Sequence, residues 1–141
     1  TDGVMPFSQF NLLTNIIETA DTCVALGKPQ ATLRFGHEVC VMPLACLMEL
    51  GPMGASISDM EELDQVWRNY RIFPMACNIQ LVFYRPKKKG SDAPILVKAL
   101  LNEREMTLPV QPTATPYYYK WSDLRQYWKE KLNAFKKTQE Q

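Results

Sequence analysis

The stretch Ala31-Thr32-Leu33-Arg34-Phe35-Gly36-His37-Glu38 runs directly into Val39-Cys40-Val41-Met42-Pro43-Leu44, and the change of character between the two blocks decides the fold class. The first block carries β-favouring Thr, Leu and Phe between a Gly27-Lys28-Pro29 turn and Gly36, which predicts a strand over residues 31–35. The second predicts a helix over residues 39–50 that Gly51-Pro52 closes, with Pro43 near the first turn, where a missing N–H costs little. His37 is the only histidine in the chain, and Glu38 follows it at once. A strand feeding a helix at this point places an imidazole and a carboxyl together at the helix amino end, and strand ends are where α/β proteins keep their chemistry.

Working outward, Phe10, Leu13, Ile16, Ile17, Ala20, Cys23 and Val24 recur at helical spacing, with Ser8 as a cap and Gly27 as a stop. Ser58-x-x-Glu61 has the form of a capping box opening a short helix that runs to about Arg68. Residues 77–84 and 94–101 are apolar and β-favouring, and they flank the charged Pro86-Lys87-Lys88-Lys89-Gly90-Ser91-Asp92 loop of a hairpin. A short third strand is expected over residues 104–108, and Pro109, Pro112 and Pro116 make the next stretch an irregular surface connector. Leu124, Tyr127, Trp128, Leu132 and Phe135 then share one face of a helix over residues 122–136. The fold class is therefore α/β, with helices flanking a sheet.

Composition excludes several roles. With 141 residues, 46% hydrophobic and 22% charged, the chain supports one ordinary core and a single globular unit. Sixteen basic and 15 acidic residues are mixed along it, so no broad basic face exists for duplex nucleic acid. Glu18, Asp21, Lys28, Arg34 and Glu38 interrupt every apolar run before the roughly 20 residues that cross a bilayer. Cys23, Cys40, Cys46 and Cys77 include no C-x-x-C pair and share the chain with one histidine, which argues against a zinc site. Buried free thiols are expected, and the even count leaves one disulfide open. The opening Thr1-Asp2-Gly3, without an initiator Met or a leader pattern, reads as a processed or excised piece.

Among candidate sites, the bland readings come first. A lone histidine at a strand end is more often a hydrogen-bonded structural residue, and an acid in the first helical turn is favoured by the macrodipole alone. Lys87-Lys88-Lys89 reads as a solvated loop tip, and Tyr117-Tyr118-Tyr119 with Trp121 as packing of the proline-rich connector. No cysteine begins a C-x5-R loop, and Ser122 has no triad context. The functional reading rests on adjacency. Free N–H groups of a helix amino end and an imidazolium beside them suit a phosphate, and a neighbouring protonated carboxyl can give its proton to a departing oxygen.

Leu33-Arg34-Phe35-Gly36-His37-Glu38, Val41-Met42-Pro43-Leu44 and Leu47-Met48-Glu49-Leu50-Gly51 together resemble the carboxy-terminal half of a histidine acid phosphatase, in the branch holding phytases and multiple inositol polyphosphate phosphatases. Trp67-Arg68-Asn69-Tyr70, the run from Pro74-Met75-Ala76-Cys77 to Phe83-Tyr84-Arg85, and the run from Val97-Lys98-Ala99 to Glu103-Arg104-Glu105 extend the similarity, particularly to the inositol phosphatases of gut Bacteroidetes. The resemblance implies a partial phosphoglycerate-mutase-like, three-layer sheet with flanking helices, of which residues 1–141 are the carboxy-terminal segment. It implies His37 as the phosphate-binding histidine and Glu38 as the proton donor, acting without metal or cofactor on a phosphate ester such as an inositol polyphosphate. Glu38 stands where the phytase type has Asp; the inositol-phosphatase type has Ala there and its acid one residue later, at the position of Val39. The family's R-H-G-x-R-x-P nucleophile loop is absent, so the missing amino-terminal part of the same domain is an implied partner and this segment alone is expected to be inactive. A periplasmic or secreted location follows from the resemblance only. Exposed sheet edges would favour a homodimer. The competing expectation is a non-catalytic module or relic phosphatase that binds a phosphorylated ligand or a protein.

Overall fold

The computed structural model describes residues 5–54, 68–88 and 90–140, and the capping box expected at Ser58 lies outside them. A 3-10 turn over Met5–Gln9 leads into helix α1, Phe10–Leu26, and is followed in order by α2, Glu38–Leu47, and the single turn α3, Asn69–Ile72. Strands β1, Ile79–Tyr84, β2, Leu96–Leu101, β3, Arg104–Met106, and β4, Tyr119–Lys120, precede the final helix α4, Trp121–Gln139. The molecule is thus mixed helix and sheet, as the hydrophobic periodicities require.

All strand pairs are antiparallel. β2 is central, with β1 on one side and β3 and β4 sharing the other. The register sets Ile79 against Leu101, Leu81 against Ala99 and Phe83 against Val97, so one face of β1 and β2 is continuously apolar. Val97, Ala99 and Leu101 are buried and the alternate residues Leu96, Lys98 and Leu100 are only half-buried, the period-two pattern of a sheet with one face on the core. The β2–β3 link turns on Asn102 and Glu103, both with positive φ (49° and 65°), the twist that a two-residue hairpin needs. Asn102 is held there: it donates from its amide to the Ile72 carbonyl at 2.8 Å and accepts from the Asn78 N–H at 3.1 Å.

Leu13, Ile17 and Ala20 of α1, Leu44, Ala45 and Leu47 of α2, and Trp121, Leu124, Trp128 and Leu132 of α4 meet the inner sheet face in one cluster. Phe83 meets Trp121 edge-on at 5.0 Å, and Trp121 meets Trp128 in the same way at 6.2 Å, an arrangement that suits ring quadrupoles. The expected hairpin, third strand and terminal helix are all present. The connector is irregular, with one bridge between Pro112 and Tyr119, and its aromatics pack: Tyr119 is buried and Tyr118 rests on Tyr84. Lys87 and Lys88 are exposed, as a loop tip should be.

Three expectations are corrected. Residues 31–35 are not a strand: they pair with nothing among the described residues, and β propensity without a neighbouring edge to bond cannot make a ladder. Pro43 sits at the sixth residue of α2, beyond its first turn, where its missing N–H leaves the Val39 carbonyl without its usual helical donor. Ser8 lies within the 3-10 turn, and Gln9 precedes α1 without a side-chain cap. Gly27 does end α1, at φ 68°.

α2 closes in a motif that ties it to the rest of the fold. The Glu49 N–H bonds the Cys46 carbonyl at 3.1 Å and the Leu50 N–H bonds the Ala45 carbonyl at 3.0 Å, with Glu49 left-handed at φ 55°. This is a Schellman closure in which a glutamate occupies the position glycine usually takes. One face of α4 covers it. Tyr127 donates to Glu49 Oε2 at 2.8 Å, Lys131 to Glu49 Oε1 at 2.6 Å and to the Leu47 carbonyl at 3.0 Å, and the Trp128 indole to the Met48 carbonyl at 3.2 Å. Gly51 then passes so close to β3 that an added Cβ would lie 2.9 Å from Met106 Sδ.

Two measurements test this clamp. In urea unfolding Glu49→Ala, which keeps the left-handed strain and loses both side-chain bonds, is expected to be less stable than Glu49→Gly by about 1 kcal/mol, with both below the parent. Burial, then the bond to Glu49, pushes the Tyr127 hydroxyl from 10.0 up to about 12, so the folded state keeps a proton that the unfolded chain gives up earlier. The stability this contributes is complete below pH 10 and lost as pH rises toward 12, and Tyr127→Phe is expected to flatten that decline in an alkaline unfolding series.

Candidate functional site

His37 and Glu38 stand where the sequence places them relative to α2. His37 is the residue before the helix, extended at φ −85° and ψ 152°, and Glu38 is its first residue. The His37 carbonyl accepts the Cys40 N–H at 3.0 Å, while its side chain makes no capping bond. The Glu38 and Val39 N–H groups have no backbone partner among the described residues and stand with a carboxylate beside them, the arrangement that the helix dipole favours. Both side chains are exposed. The hydrogen-bonded structural role that a lone histidine more often has finds no side-chain partner for His37 among the described residues.

Among the described residues, the side-chain bonds of the segment leading to the pair go to α1. Gln30 donates weakly to the Cys23 carbonyl at 3.4 Å, and Arg34 Nη2 donates to Asn15 Oδ1 at 2.8 Å and Thr19 Oγ1 at 2.9 Å. Residues 28–36 thus run back along α1 from its carboxy end toward its middle. In alternation with Arg34, Leu33 is 76% and Phe35 93% exposed, and Val39 continues the exposed apolar surface past the pair. Met75 is exposed two residues from Cys77, whose thiol is pushed up by burial and, to a smaller extent, by the Glu38 carboxylate. His37 and Glu38 are therefore flanked by apolar side chains standing in water.

A cleft of about 230 Å³ lies beside Glu49, Gly51, Thr107 and Pro109, and another of about 630 Å³ runs between α1 and α4; neither is lined by His37 or Glu38. Among the described residues no three His, Cys, Asp or Glu side chains are grouped to hold a metal ion, and no helix is long and apolar enough to cross a membrane. All four cysteines are free and half-buried, less enclosed than their apolar character suggested.

Two polar clusters went unread in the sequence. One is Glu49 with Tyr127 and Lys131, whose only signal was the i, i+4 spacing of Tyr127 and Lys131 at the border of the apolar face of α4. The other joins Asp21 of α1 to α4, with Arg125 Nε at 2.8 and 2.7 Å from the two carboxylate oxygens and the Trp121 indole N–H at 3.2 Å. Separations of 100 residues or more hide such pairs from any local pattern. No family model matches this chain, and no curated protein matches it.

Because the side chains of His37 and Glu38 are exposed and make no hydrogen bond among the described residues, His37→Ala and Glu38→Gln are expected to change unfolding stability little, within about 0.5 kcal/mol. Arg34→Ala is expected to speed amide exchange over residues 30–36 while leaving that of α4 unchanged, which residue-resolved hydrogen exchange would show.

Proposed function

We propose that this chain is part of a metal-independent phosphomonoesterase of the histidine acid phosphatase type, acting on phosphate esters such as inositol polyphosphates through a phosphohistidine formed elsewhere in the protein. His37 would bind the phosphate and stabilise its transition-state charge, and Glu38 would protonate the leaving alcohol. One observation carries the reading: a histidine and an acid at an open helix amino end, ringed by exposed Leu33, Phe35 and Val39. Large apolar side chains in water beside a candidate site are what a surface awaiting a further layer of the same domain presents. The unpaired segment 31–35 fits this view, since a strand former without a ladder lacks only its neighbour. The outer edge of β1, unpaired among the described residues, is where a second copy could add instead.

His37 and Glu38 cannot complete this chemistry. The covalent route needs a second histidine as nucleophile, and His37 is the only one in the chain. The isolated chain is accordingly expected not to hydrolyse p-nitrophenyl phosphate above background. In a polypeptide that also supplies an R-H-G-x-R-x-P loop, Glu38→Gln is expected to lower phosphate release by about 10²–10⁴ and to spare esters with good leaving groups, the signature of a lost general acid. Unchanged phosphate release in His37→Ala of that longer protein, or turnover by the isolated chain, would overturn the assignment.

The absence of His37 and Glu38 from either cleft favours a second reading, a phospholigand- or protein-binding module without catalysis. That reading expects inorganic phosphate to shift the His37 ring resonances while no longer form of the protein turns over.

A further inference from the structure

A cleft of about 630 Å³ lies between α1 and α4, within the size of small-molecule sites. Its floor and one wall are Val24, Pro94, Ile95 and the nearly buried Trp121. The other wall is a stripe of α4, with Arg125, Gln126, Lys129 and Asn133 about one turn apart. It faces away from the side of α1 that Arg34 grips, since Asp21 and Val24 lie on a different helical face from Asn15 and Thr19.

The hydrogen bonds of this cleft leave donors over. Asp21 accepts from Arg125 Nε and from the Trp121 indole, and Glu130 accepts from Gln126 at 2.8 Å. Asp21 is thus engaged at both oxygens, and exposed Glu130 at Oε1. Arg125 is held by its Nε alone, so its terminal Nη groups have no acceptor among the described residues, and half-buried Lys129 has none either. A guanidinium fixed by a carboxylate at one edge offers its other edge as a planar fork, which fits a carboxylate.

We propose that this cleft binds an organic monocarboxylate with an aromatic or branched apolar body. The carboxylate lies between Arg125 Nη and Lys129 Nζ, and the body lies on Trp121, Ile95 and Val24. The site is independent of His37 and Glu38.

The test is titration of the chain with 2-naphthoate, followed by the indole N–H resonance of Trp121 and by calorimetry, beside neutral 2-naphthalenemethanol. Expected are saturable binding with Kd below about 1 mM, at least about tenfold weaker binding of the alcohol, and a shift of the Trp121 resonance. Lys129→Gln should weaken naphthoate by about tenfold while Lys129→Arg retains it, and His37→Ala should leave it unchanged. No saturable shift, equal binding of acid and alcohol, parent-like affinity in Lys129→Gln, or loss of binding in His37→Ala would each overturn the proposal, and none of them bears on phosphate ester hydrolysis.

Discussion

The carboxy end of α2 depends on side chains that arrive from the far end of the chain. A helix leaves its last carbonyls without donors, and here they must turn directly into a buried core. The backbone closes part of the account through Glu49 and Leu50, and α4 supplies the rest through Trp128 and Lys131. The positive end of Lys131 also meets the negative end of the helix dipole. Because Met48 and Leu50 are fully buried beside Trp128 and Leu124, this polar junction lies at the edge of the apolar core. Sheet packing then follows, since Gly51, bonded to the Thr107 carbonyl at 2.9 Å, carries the chain straight from the clamp to the end of β3.

Glu49 shows why such a junction is hard to replace. A left-handed backbone costs a side-chain-bearing residue about 1–2 kcal/mol, which glycine would avoid. The carboxylate offsets that strain by accepting from Tyr127 and Lys131 at once. At 23% side-chain exposure for each partner, the Lys131–Glu49 pair is shielded enough to matter more than a surface ion pair.

Much of this was legible in the sequence, and the reasons for the rest are physical. Helices α1 and α4 follow from their apolar spacing, and the β1–β2 hairpin follows from two apolar runs around a charged loop, because each is a local pattern. The segment 31–35 had the composition of a strand, yet a strand is a property of two chains' backbones, and no residue within it reports whether a neighbour exists. The helical composition of Met48, Glu49 and Leu50 predicts an end to α2 three residues beyond the observed one, because the turn they make is set by buried contacts to α4. For the candidate site, the position of His37 and Glu38 at the start of α2 was readable from Gly36 and the helical run after it. Their exposure was not, nor were the Asp21–Arg125–Trp121 contacts, which join residues about 100 positions apart.

The two ends of α2 are built to opposite specifications. Its carboxy end is pinned by three side chains of another helix, whereas its amino end carries His37 and Glu38 with no side-chain cap. Pro43 lies between them and interrupts the hydrogen-bond ladder at Val39. The Val39 carbonyl of the first turn therefore lacks the helical bond that would tie it to the pinned body. The side-chain bonds from α4 that hold Leu47 and Met48 thus stop short of the residues with chemistry to offer.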